Sequence, residues 1–142
     1  MKRLMVVYGT RAEAIKMAPV IEALDRSAMF RPTVTVTAQH RGLLDQVHEV
    51  FGIHADHDLD IFAPRQSLAD ITHRVLDGLC PLLRQERPDA VLVQGDATTA
   101  FAGALAAFYH RIPVAHLEAG LRTRVPDPHR QRRHPGGGAG PR

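Results

Sequence analysis

Short apolar segments that alternate with longer amphipathic ones constrain this chain most. Four apolar or β-branched segments predict buried strands, at residues 4–8, 33–38, 90–93 and 113–117. Four stretches with apolar residues at helical spacing predict helices, at residues 12–24, 43–51, 67–86 and 98–109. This succession favours an α/β fold, in which a parallel sheet with right-handed crossovers carries helices on both faces.

Two acidic residues follow predicted strands at the point where such sheets bind ligands. Asp96 comes after the strand at 90–93 and Glu118 after the strand at 113–117, and each is close to a glycine. Ligands of parallel sheets bind outside the carboxyl ends of the strands. A carboxylate pair there suits general acid/base chemistry on a sugar or another polyol. The alternatives are structural: Asp96 as a helix N-cap, and Glu118 in an ion pair with Arg122.

The turn after the first strand is a candidate anion site. Gly9, Thr10 and Arg11 lead from that strand into the first helix, and Lys16 lies further along the same helix. Backbone N–H groups at a helix start, together with basic side chains, favour a phosphate-bearing ligand. A dinucleotide fingerprint is absent, because Gly9 is not part of a G-x-G-x-x-G motif. An ordinary turn with solvated charges is the alternative.

Two further polar segments contain residues that could bind ligands. Residues 39–41, with the sequence Gln-His-Arg, follow the second predicted strand at the same edge of the sheet. Residues 54–60 contain two histidines and three aspartates, which are metal-ligating types, but they lie in a connection away from that edge. We interpret this connection as a solvated acidic loop, and we predict neither a metal site nor a cofactor.

Charge and composition exclude several classes of protein. Residues 124–142 hold five arginines against one aspartate, so the formal charge of +3 leaves the first 123 residues at −1. A basic nucleic-acid-binding face is therefore not expected on the folded part. The first apolar run is too short for a signal peptide or a membrane span. A single cysteine, Cys80, excludes an internal disulfide and is typical of a reducing cytoplasm, where we expect the protein to act without a membrane partner.

Five segments carry a resemblance to one enzyme family. They are residues 9–19 (GTRAEAIKMAP), 37–41 (TAQHR), 45–47 (DQV), 91–96 (VLVQGD) and 106–123 (AAFYHRIPVAHLEAGLRT). Together they resemble the N-terminal domain of the non-hydrolysing UDP-N-acetylglucosamine 2-epimerases, from residue 1 to residue 123. The resemblance implies a Rossmann-like domain, the first half of a two-domain GT-B-type fold.

The resemblance also implies a reaction and a set of roles. The family interconverts UDP-N-acetylglucosamine and UDP-N-acetylmannosamine for polysaccharide synthesis, through elimination of UDP to 2-acetamidoglucal and its re-addition. Asp96 and Glu118 correspond to acid/base carboxylates, and Arg11, supported by Lys16, corresponds to a diphosphate ligand. Gln39, His40 and Arg65 match a second, regulatory UDP-N-acetylglucosamine site. Intact members are expected to be homodimers.

Residues 124–142 depart from the family. They hold four prolines, four glycines and five arginines, and we predict a disordered tail after a Rossmann-like domain at 1–123. Permitted codons for residues 129–141, shifted by one base, can encode Thr-Asp-Ser-Gly-Gly-Ile-Gln-Glu-Glu-Ala-Pro-Gly. That string resembles a UDP-binding motif of the family's second domain, so we interpret the tail as out of frame. A fragment of an epimerase, inactive alone, is the leading hypothesis; a non-catalytic nucleotide-sugar-binding or regulatory module is the alternative.

Overall fold

A computed structural model describes residues 1–38 and 41–118 of the chain as a five-stranded sheet with four helices. In chain order the elements are β1 (Lys2–Tyr8), α1 (Arg11–Arg26), β2 (Phe30–Val36), α2 (Arg41–Phe51), β3 (His57–Asp58), α3 (Leu68–Glu86), β4 (Ala90–Gln94), α4 (Thr98–Tyr109) and β5 (Val114–Leu117). All neighbouring strands are parallel, in the order β3-β2-β1-β4-β5. The predicted parallel α/β fold is confirmed.

The helices form two layers, one on each face of the sheet. On one face Val6 and Tyr8 of β1 pack with apolar residues of α1 and α2. On the other face Met5 and Val7 pack with residues of α3 and α4. Because side chains of a strand alternate between faces, a central strand covered on both sides must be apolar at every position, as β1 is from Met5 to Tyr8.

The connection between α2 and α3 differs from the sequence-based expectation. We predicted a solvated loop at residues 54–60, but His57 and Asp58 form the short edge strand β3, paired with Thr35 and Val36 of β2. Asp58 and Asp60 also bind Arg41, with oxygen-to-nitrogen distances of 2.8 and 2.9 Å. A two-residue strand has no hydrophobic period of its own, so only pairing with β2 reveals it.

Gly9 allows β1 and α1 to meet closely at the carboxyl edge of the sheet. A Cβ atom at this position would overlap Thr37 Oγ1 and lie 2.9 Å from Thr99 Oγ1. Those two hydroxyl oxygens are themselves 3.2 Å apart and form a buried hydrogen bond. The absence of a side chain at Gly9 therefore fixes where α1 begins relative to β2 and α4.

Some expectations concern residues outside the described ranges. Gln39, His40 and the predicted tail at 124–142 all lie there, as does Arg122, the proposed ion-pair partner of Glu118. Among the helices that are described, none is both long and apolar enough to cross a membrane.

Candidate active site

A cavity of about 800 Å³ opens at the carboxyl ends of β1, β4 and β5. Its polar lining comes from the start of α1, the β4–α4 turn and the end of β5: Thr10, Glu13, Lys16, Gln94, Asp96, His116 and Glu118. The apolar part of the wall includes Ala100, Phe101 and Val114. The cavity thus lies at the edge where parallel sheets bind ligands, and it unites residues from distant parts of the chain.

The two predicted carboxylates lie in this cavity. The N-cap of α4 is Ala97, which makes no side-chain capping bond, so the alternative role of Asp96 as N-cap is wrong. Asp96 is exposed and lines the cavity. Glu118 follows β5 and is half-buried; a Cβ atom on Gly95 would lie 3.9 Å from its Oε2. The Glu118 carboxylate therefore lies close to Gly95, the residue before Asp96.

His116 is a cavity residue that we did not predict. Its Nε2 lies 2.7 Å from the carbonyl oxygen of Gly95, so the ring donates a hydrogen bond from this nitrogen. The Gly95 N–H donates in turn to the Leu117 carbonyl at 3.0 Å. His116 therefore helps to fix the left-handed turn at Gly95, where φ is 76°. The two-residue spacing of His116 and Glu118 in an extended segment could have indicated a shared face.

Glu13 is the second cavity residue that we did not predict. Its Oε1 accepts hydrogen bonds from the Thr10 hydroxyl at 2.8 Å, the Thr10 N–H at 3.1 Å and the Gly9 N–H at 3.4 Å. Thr10 Oγ1 accepts in return from the Glu13 N–H at 3.3 Å, which completes a capping box at the start of α1. Burial raises the pKa of Glu13, and the charge of Asp96 adds to this rise. The Thr-x-x-Glu spacing of residues 10–13, which is typical of a capping box, could have indicated the position of Glu13.

The two predicted basic ligands occupy different places. Lys16 lies in α1 and lines the cavity. Arg11 is the first residue of α1 and is exposed, and it is not among the residues that line the cavity. The capping box already binds the N–H groups of Thr10 and Glu13, so the N–H groups of Arg11 and Ala12, together with the helix dipole, are the ones that can attract an anion. Lys16 and this first turn therefore give the cavity one wall with positive character.

Comparison with known sequences decides the family. The family model for UDP-N-acetylglucosamine 2-epimerase matches residues 22–129. This chain belongs to the UDP-N-acetylglucosamine 2-epimerase family. A relative from Thermotoga maritima is 60% identical over 123 residues, covering 87% of this chain and 32% of the relative.

Two further members of the epimerase family show how much of the enzyme this chain represents. The UDP-N-acetylglucosamine 2-epimerase of Escherichia coli K12 is 56% identical over 121 residues, covering 85% of this chain and 32% of the relative. The crystal structure of the Neisseria meningitidis enzyme bound to UDP-GlcNAc superposes with a TM-score of 0.79 at 54% identity, covering 85% of this chain and 33% of that one. The chain spans about a third of the length of these epimerases and corresponds to their N-terminal part.

Of the residues that the epimerase resemblance assigns to a regulatory site, the structure describes only Arg65. Arg65 is exposed in the β3–α3 connection, with a left-handed φ of 58°, and it is not among the cavity residues named above. Gln39 and His40 lie outside the described residues. Arg41, their neighbour, binds Asp58 and Asp60.

In residues 1–38 and 41–118 no group of three or more His, Cys, Asp or Glu side chains could hold a metal ion.

Proposed function

We propose that this chain is the N-terminal part of an epimerase acting on UDP-N-acetylglucosamine, and that the cavity at the ends of β1, β4 and β5 is its half of the active site. The observation that carries the proposal is the convergence of Asp96, Glu118 and Lys16 at one edge of the sheet. A diphosphate beside the start of α1 would place the attached sugar toward the two carboxylates. The Neisseria meningitidis structure, described as bound to UDP-GlcNAc, supports this choice of ligand.

The two carboxylates can perform both halves of an epimerisation at C2. In the forward step, one carboxylate takes the C2 proton while the bond between C1 and the diphosphate oxygen breaks. This step yields 2-acetamidoglucal and UDP. In the return step UDP adds to C1 again while a proton is delivered to the opposite face of C2. Residues that approach a sugar from different strands can serve its two faces, so a pair suits this chemistry better than a single base.

The wall formed by Lys16 and the first turn of α1 can stabilise the negative charge of the UDP leaving group. Negative charge grows on the diphosphate as the C1–O bond breaks, and fixed N–H groups and a lysine stabilise such charge without reorganisation. We assign this role to the first turn of α1 and to Lys16, and a supporting role to Arg11, which the family resemblance matches to a diphosphate ligand. Catalysis requires groups held around the substrate at once, so we expect no turnover by the 142-residue chain alone.

Replacing Lys16 tests the binding half of the proposal. We expect weak but saturable binding of UDP-N-acetylglucosamine to the full 142-residue chain, and about tenfold weaker binding after Lys16→Met, because a charge-assisted hydrogen bond is lost. Chemical-shift titration by NMR measures both. Lys2→Met, which removes the same charge at the opposite end of β1, is the matched control and should bind normally. Equal effects of both variants would contradict a role for Lys16.

The second candidate function is a nucleotide-sugar-binding or regulatory module without catalysis. It shares the binding prediction but not the chemical role of Asp96 and Glu118. Conversion to UDP-N-acetylmannosamine, measured once the missing two thirds are supplied by a relative, separates the two candidates.

Three further assignments are proposals that rest on the family resemblance. Gln39, His40 and Arg65 form a second nucleotide-sugar site, the complete enzyme is a cytoplasmic homodimer, and residues 124–142 are an out-of-frame tail following a domain at 1–123. The nucleotide sequence tests the last of these. An intact coding region between Thr123 and the shifted motif would contradict a deletion in the gene.

A further inference from the structure

Glu13 presents a carboxyl group whose two oxygens have very different surroundings. The residue is 3% exposed. Oε1 accepts the three hydrogen bonds from Gly9 and Thr10. Oε2 is buried and has no hydrogen-bond partner among the described residues. The group nevertheless belongs to the wall of the cavity assigned to the diphosphate and sugar.

These surroundings disfavour an ionised carboxylate. A charged oxygen without a donor is costly to bury, and within residues 1–38 and 41–118 no basic side chain forms an ion pair with Glu13. The Asp96 charge is close enough to oppose a second negative charge at this position. The three hydrogen bonds to Oε1 favour the charged form, but burial and the Asp96 charge outweigh them, so the pKa of Glu13 is raised. In the neutral form Oε1 keeps its three donors and no charge is buried, while a proton on Oε2 has no acceptor among the described residues.

We propose that Glu13 is a positioning residue that supports nucleotide binding in its uncharged carboxylic acid form. Oε1 holds the turn at Gly9 and Thr10, and the neutral group leaves the first turn of α1 attractive to an anion. Ionisation of Glu13 adds a negative charge inside that turn and weakens the binding of the diphosphate. The inference rests on the proposed function and deepens it, since it names what regulates ligand affinity at the same site.

Other charged groups face the same cavity, so the effect of Glu13 must be isolated. Lys16 comes from α1, Asp96 from the turn before α4, and His116 and Glu118 from the end of β5. The charges of these groups also act on a bound anion. Glu13→Gln separates the contributions, because glutamine keeps a carbonyl acceptor and an N–H donor but cannot ionise, while His116 is unchanged.

The first test follows the Glu13 carboxyl in the ligand-free 142-residue chain. Carboxyl carbon NMR, with Glu13→Gln to assign the signal, should give a titration midpoint above the ordinary glutamate pKa of about 4.3. Because the pKa is raised in the folded state, the stability that Glu13 contributes is full below the unfolded-state pKa. It is then lost as pH rises through the folded-state pKa. Glu13→Gln should remove that part of the pH dependence of unfolding. A midpoint at the ordinary value would overturn the inference.

The second test measures affinity for UDP-N-acetylglucosamine by calorimetry in wild type and Glu13→Gln from about pH 4, below the ordinary glutamate pKa, to about pH 9. The diphosphate is esterified at both ends and lacks the phosphate pKa near 6, and ionisation of the uracil N–H toward pH 9 affects both proteins equally, so the difference between their profiles reports Glu13. Wild type should lose about tenfold more affinity across the range than the variant, as expected for a charge a few ångströms from an anion. Identical pH profiles would overturn the inference.

The outcomes separate this inference from the proposed function. Binding that occurs in both proteins with the same pH dependence contradicts the role of Glu13 and leaves the nucleotide site intact. No binding by wild type at any pH contradicts the proposed function and, with it, any effect of Glu13 on affinity. If Glu13→Gln does not fold, the wild-type carboxyl titration decides, with the Glu13 signal assigned through its bonds to the Glu13 backbone.

Discussion

Replacing Asp96 by asparagine is expected to lower kcat for epimerisation by about 10²–10⁴-fold, the usual effect of removing a general acid or base. The measurement needs a complete enzyme, which a chimera provides by joining residues 1–123 of this chain to the remainder of the Escherichia coli K12 relative. Asparagine keeps the size of the side chain but cannot take the C2 proton. Chromatographic separation of the two UDP sugars gives the rate.

The control for Asp96 is an aspartate of similar exposure far from the cavity. Asp77 lies on α3, and its side chain is 70% exposed beside His73. Asp77→Asn in the same chimera should leave kcat unchanged. An Asp96→Asn chimera that folds normally and retains full activity would contradict an acid/base role for Asp96.

Gly9→Ala should destabilise the folded chain by about 1–3 kcal/mol, the cost of overpacking a filled site. The added methyl group would overlap Thr37 Oγ1 and press on Thr99 Oγ1, and both threonines are fully buried. Relief would require moving α1 away from β2 or α4. Urea denaturation followed by circular dichroism measures the loss.

Gly42→Ala is the matched control for Gly9→Ala. Gly42 is the second residue of α2, and a Cβ atom there would meet nothing within 4 Å. Alanine at this position should stabilise the chain by about 0.4–1 kcal/mol, because alanine has fewer backbone conformations than glycine in the unfolded state. Adding Thr37→Ala to Gly9→Ala should recover part of the stability, because the overlapping oxygen is gone. A Gly9→Ala variant as stable as wild type would show that this turn tolerates a side chain.

Much of the fold could be predicted because its signals are local. β1 is apolar at successive positions because both of its faces are covered, and α3 has apolar residues at helical spacing and begins at the N-cap Ser67. These patterns depend on one segment at a time. β3 could not be predicted, because His57 and Asp58 become a strand only by pairing with Thr35 and Val36. The pairing of β3 with β2 joins segments that are distant in the sequence, so no local pattern indicates it.

The candidate site also contains residues that could be predicted from the sequence and residues that could not. Asp96 and Glu118 could be predicted because each follows a strand, and the ends of parallel strands meet at one edge. The burial of Glu13 could not be predicted, because it depends on how the start of α1 packs against the sheet. From the sequence alone, Thr10 and Glu13 indicate only a capping box. His116 has a role that depends on the position of the Gly95 carbonyl.

The most direct test of the central claim is turnover by the chimera with residues 1–123 unchanged. If the cavity is half of an epimerase active site, the purified chimera converts UDP-N-acetylglucosamine into UDP-N-acetylmannosamine. The reaction should approach the same equilibrium mixture from either sugar. A chimera that is folded and binds UDP-N-acetylglucosamine but produces no UDP-N-acetylmannosamine would contradict the claim and favour a binding module.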